Sequence, residues 1–220
     1  LQVSVYRSAV LVILFLVTLP ALCLAKPAPP ARFEEIFAEF RHVEELVDEG
    51  KWAAATKDID HVIVLFKEML PELRKTVSAD VTTNFGEGME RYRVSLDRKS
   101  KEVSEKIYRE IKNIFIELVD SFEFKVSPVL RLVDTDLAEV IEQAKEQEFD
   151  EMLFEVRELQ DFLRLGRDDF AEYGMTAAEI ASIESVVRKI NELAYAKNGA
   201  EVAAVAQECR GRIAKYLKVR

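Results

Sequence analysis

The chain has 220 residues with a formal net charge of −9, 49% apolar and 32% charged residues, and only 7 glycines and 6 prolines. That balance supports a helix-rich core and excludes both a disordered chain and a β-sandwich. The acidity excludes nucleic acid and anionic membrane surfaces as partners, because these are held by clustered Lys and Arg, and here the basic residues are scattered among carboxylates.

Arg7 precedes the apolar run Ala9 to Leu19, which is followed by Pro20 and a short stretch closing on Ala25. Charged, apolar and small residues in that order are those of a secretory signal peptide, so residues 1–25 are expected to be removed on export. The apolar run is shorter than the ~20 residues that cross a bilayer, and the mature form is not expected to span a membrane. The protein is therefore placed in the periplasm or outside the cell. Cys23 leaves with the signal, and Cys209, on the stripe Val202, Val205, Ala206, Ile213, reads as a small buried hydrophobe. Residues 26–32, with Pro27, Pro29 and Pro30, form a Pro-rich spacer.

Phe33, Ile36, Phe37, Phe40, Val43 and Val47 recur every three or four residues, the spacing of one helix face, and Gly50 stops the helix. A second stripe runs through Trp52, Ile59, Val62, Ile63, Phe66, Leu70 and Leu73, with a kink or an early end predicted at Pro71. Val81, Phe85, Met89, Tyr92 and Leu96 mark a third helix; Val103, Ile107, Ile111, Ile114, Leu118 and Phe122 mark a fourth. Ser127-Pro128 then caps a fifth helix through Leu130, Val133, Leu137, Val140, Ile141 and Ala144. Phe149 to Leu163 carry a sixth, ended by Gly174. Thr176 and Glu179 form a capping box before Ile180, Ile183, Val187 and Ile190, and Val202 to Leu217 close the chain.

The two halves repeat in order with a period of about 97 to 99 residues. Short loops force antiparallel neighbours, so the expected fold is all-α: two tandem up-down four-helix bundles, residues 33–124 and 127–220, related by internal duplication.

Two acid–histidine pairs, Glu39 with His42 and Asp58 with His61, have the i, i+3 spacing of carboxylate-bridged metal bundles and flank the Gly50 turn at similar distances. They are the candidate ligands for a divalent or iron cation. Both imidazoles, however, point about 150° from their apolar stripes and are expected in water. Asp134 to Asp161 is an acidic hairpin whose sixth helix carries a surplus apolar side, Phe154, Phe162 and Leu165. With Glu151, Glu155 and Glu158 this face is the candidate for docking a partner, or for sealing one bundle against the other. Phosphate-binding glycine loops, zinc spacings, haem attachment and hydrolase elbows do not occur. No cofactor is expected, and the stripes place no reactive cluster in the interior.

The sequence thus reads as an exported, non-enzymatic helical-bundle protein that binds a protein or envelope component, with a metal-binding bundle as the alternative. N-terminal sequencing of the exported protein should begin at or near Lys26.

Overall fold

The computed structural model describes residues 26–218; the expected signal peptide lies outside them. Among the described residues the chain is all-α, with nine helices packed antiparallel and no strand. None of the described helices is long and apolar enough to cross a membrane.

The helices are α1 (Phe33–Asp48), α2 (Trp52–Leu73), α3 (Ala79–Asp97), α4 (Lys101–Val119), α5 (Pro128–Glu146), α6 (Phe149–Leu165), α7 (Arg167–Glu172), α8 (Ala177–Tyr195) and α9 (Gly199–Ile213). Each helix from α1 to α4 packs on the next, and α4 returns to α1; α5, α6, α8 and α9 close a second ring in the same way. Across the seam α4 rests on α6. Arg131 on α5 bonds Glu34 on α1 at 2.8 Å, Arg41 on α1 reaches Thr135 on α5 at 3.3 Å, and Lys101 on α4 bonds Glu151 on α6 at 2.7 Å. Such rim pairs contribute little to stability individually but fix how the two rings meet.

The first ring has an aromatic core. Phe40 stacks on Tyr108 with centroids 4.7 Å apart, Phe37 stacks on Phe115 at 5.0 Å, and Phe85 meets Phe66 at 5.2 Å. The second ring is filled with aliphatic side chains, among them Val133, Leu137, Leu159, Val187 and Val202, each fully enclosed. Cys209 is buried with them, and burial pushes its thiol up to about 11.

Caps follow from local sequence. Ser127 Oγ accepts the Leu130 N–H at 3.0 Å, with Pro128 in the first turn where no amide donor is needed. Thr176 and Glu179 form the capping box read from the sequence. α2 continues through Pro71 to Leu73; a proline so near the end costs one terminal bond and no kink is required. The helix expected to run from Phe149 to Gly174 instead breaks at Gly166, where a Cβ would stand 2.6 Å from Val129 Cγ1. The inward face of α4 also differs from the expected stripe: Tyr108, Ile111, Phe115 and Leu118 are buried, while Val103 is exposed.

The turns that join α1 to α2, α3 to α4, α5 to α6 and α8 to α9 each pass through one left-handed residue: Gly50 (φ 69°), Lys99 (51°), Gln147 (63°) and Lys197 (56°). The amide of the following residue closes three of these ends, Lys51 to Leu46, Glu148 to Gln143 and Asn198 to Leu193, at 2.8 to 3.0 Å. Only at the first is the residue glycine, and a side chain in this conformation costs about 1 kcal/mol. Gln147→Gly should therefore raise stability by about 1 kcal/mol, seen as a higher urea midpoint with unchanged slope.

Candidate functional site

The seam between the rings buries charge. Lys112, on the side of α4 that faces the second ring, is 5% exposed at its side chain, and its ammonium bonds the Glu158 carboxylate on α6. It also stands 3.5 Å from Glu44 on α1 and 3.9 Å from Asp136 on α5. The ring of Tyr108 lies 4.6 Å below the ammonium and that of Phe162 5.6 Å away, so two aromatic faces help to hold the charge.

Around this one ammonium stand five acids: Glu44, Asp136, Glu139, Glu155 and Glu158. Asp136, Glu155 and Glu158 are at most 6% exposed, and one carboxylate oxygen from each lies within 4.8 Å of the others. Asp136 Oδ2, Glu155 Oε2 and Glu158 Oε1 have no hydrogen-bond partner among the described residues. A buried carboxylate oxygen without a donor carries its full desolvation cost. The three acids from α5 and α6 are thus grouped in the interior with one unbonded oxygen on each.

The electrostatics follow from burial. Removal from water pushes the carboxyls of Glu44, Asp136 and Glu155 well above the usual range, against the opposing pull of Lys112. Glu139, beside Glu155, is likewise raised by burial against the pull of Lys112. Burial by itself would discharge Lys112, but Glu158, Glu44 and Asp136 override it and hold the ammonium well above the ordinary lysine range.

The candidate metal ligands read from the sequence meet across α1 and α2: His61 Nδ1 is 2.7 Å from Glu39, and His42 Nε2 is 3.8 Å from Asp58. Both rings are over half exposed, and His42 also bonds Glu45 at 3.1 Å. These four residues do not bring three ligand atoms together. The partner-face candidates divide. Phe162, Glu155 and Glu158 are buried in the seam and closed to an incoming partner. Phe154 lies under the Arg109 guanidinium at 5.6 Å, Glu151 pairs with Lys101, and Leu165 packs on the core.

The buried cluster corrects the expectation of an interior free of reactive groups. Its signal was a charged residue set at helical spacing inside apolar series: Tyr108–Lys112–Phe115, Val133–Asp136–Val140 and Phe154–Glu158–Phe162. The cluster also has the spacing of the outer quartet. Positions 39, 42, 58 and 61, advanced by 97, are Asp136, Glu139, Glu155 and Glu158. The cross-helix pairing recurs as well, Glu139 with Glu155 as His42 with Asp58, and Asp136 beside Glu158 as Glu39 beside His61. The first hairpin shows this face to solvent; the second has it covered by α1 and α4.

A further buried acid, Asp169 on α7, receives the Ser127 hydroxyl and ties α7 to the start of α5. Burial pushes it up to about 6 despite that bond. No protein family, curated protein or solved structure matches the chain.

A carboxyl raised on folding contributes stability that is complete below its unfolded value of 3.8 and is lost as pH rises through about 6. Going from pH ~4 to pH ~7 should cost the native protein roughly 2–3 kcal/mol more than it costs Asp169→Asn. Urea unfolding of both across that range measures the difference.

Proposed function

We propose that this chain is an exported, non-enzymatic helical protein whose work is binding, and that it binds a divalent cation through Asp136, Glu155 and Glu158. The observation that carries the reading is the convergence of three buried acids from α5 and α6, one oxygen of each within 4.8 Å of the others, with an oxygen on each that has no partner among the described residues. All-oxygen donors at this spacing suit hard cations, the Mg2+, Ca2+ and Mn2+ class, over zinc or copper. Glu44 and Glu139 are the further acids grouped around the same ammonium.

The architecture proposed for it is two tandem four-helix bundles, residues 33–124 and 127–220, that arose by internal duplication. Three correspondences support this. Buried Ile36, Phe40 and Val43 recur 97 positions on as buried Val133, Leu137 and Val140. Phe85, Met89 and Tyr92 recur 98 positions on as Ile183, Val187 and Ile190, also buried. The left-handed turn residues at 50 and 99 recur at 147 and 197. On this reading one ancestral acidic hairpin face has become two: an imidazole-bearing copy in water and an all-carboxylate copy enclosed by its neighbour.

A second reading, docking of a protein or envelope component, is supported by an exposed apolar groove between α3 and α4 lined by Val94, Val103 and Ile107.

Calorimetric titration with Mn2+ and with Ca2+ should give one ion per chain. The double variant Glu155→Gln/Glu158→Gln should lose it, and His42→Ala/His61→Ala should keep it. Undiminished binding by the glutamine variant would overturn the assignment.

A further inference from the structure

The three converging carboxylates all belong to the α5–α6 hairpin, whereas the ammonium among them comes from α4 of the other ring. We infer that Lys112 is a tethered counter-cation that competes with a metal ion for the Asp136–Glu155–Glu158 site, so that the first unit sets the metal affinity of the second. This rests on the cation-binding reading above.

Three observations carry it. An ammonium has three protons to donate, and here it reaches Glu158, Glu44 and Asp136 while leaving Asp136 Oδ2, Glu155 Oε2 and Glu158 Oε1 without partners among the described residues. The lysine covers the edge of the acidic cluster without satisfying it. Secondly, the equivalent outer quartet, with histidine at two of its four places, has no such lysine among the close ion pairs of the described residues. The counter-cation goes with the all-carboxylate copy, where the excess of negative charge is greatest. Thirdly, the ammonium already lies over the Tyr108 and Phe162 rings, which would go on holding it once it left the carboxylates. An ammonium on a flexible stem can withdraw along such faces, which a bidentate guanidinium would not do as readily.

Two cations cannot share oxygens within 4.8 Å of one another without strong repulsion, so entry of a metal requires the ammonium to leave Glu158. Removal of the ammonium, conversely, leaves buried carboxylates uncompensated and creates demand for an external cation.

The test is a Mn2+ titration, followed by the electron paramagnetic resonance of the free ion, on the full chain and on Lys112→Met, Lys112→Arg and Lys112→Met/Glu158→Gln. Lys112→Met should bind Mn2+ at least tenfold more tightly than the native chain, and Lys112→Arg no more tightly than it. The added Glu158→Gln should abolish the gain. Lys112→Met should also melt lower than the native protein without metal and recover with Mn2+. Equal Mn2+ affinity in native and Lys112→Met protein, with binding still lost on Glu158→Gln, would overturn the competition and leave the site standing. Binding indifferent to Glu158→Gln would overturn both. A Lys112→Met chain that unfolds and is not rescued by millimolar Mn2+ would overturn the competition, as would melting of the milder Lys112→Gln that the ion leaves unmoved.

Discussion

One lysine ammonium, held out of water among five carboxyl groups, is the constraint around which the two rings of helices are arranged. A buried cation with one good partner would scarcely offset its own desolvation. Lys112 has Glu158 in contact, Glu44 and Asp136 close by, and two aromatic faces beneath. Those groups come from α1, α4, α5 and α6, so the ammonium is satisfied only when both rings are in register. The exposed pairs along the rim, Glu34 with Arg131 and Lys101 with Glu151, are then consequences of that register more than causes of it.

The compensation is incomplete, and the shortfall makes the seam a candidate for chemistry. A purely structural ion pair would be expected to end with its oxygens bonded. Here each of three converging acids keeps one oxygen without a partner among the described residues, and burial raises Glu139 and Glu155 above the usual carboxylate range. One lysine and the raised proton affinity of the buried acids hold the negative charge in check. The two hairpin faces, read together, give that balance a context. The same four positions are filled by mixed acid and imidazole where water can screen them, and by carboxyl groups alone where a neighbouring helix supplies the cation.

How much was legible in the sequence differs by level. Stripes such as Phe33–Ile36–Phe40–Val43 and Ile180–Ile183–Val187–Ile190 located helices because burial imposes a 3.6-residue period whatever the neighbours are. The caps at Ser127 and Thr176 and the stop at Gly50 were equally readable, since they are satisfied within a few residues. On α4 the reading failed by a rotation. Lys112, Ile116 and Val119 face the second ring while Tyr108, Ile111 and Phe115 face the first, so the helix has two buried sides, and a single stripe through Val103 and Ile107 averages them wrongly. The break at Gly166 was missed for a similar reason, because it answers to Val129 on another helix.

The sequence by itself determined which segments are helical, most of the places where they turn, and that acid-bearing i, i+3 pairs occur on paired helices, because each depends on neighbours within one or two turns. Which of those pairings is wet and which is enclosed was decided only by the tertiary structure. A glutamate at helical spacing from two phenylalanines looks the same in sequence whether water or another helix lies over it. Its chemistry depends on the dielectric and on a lysine 46 positions away in the chain.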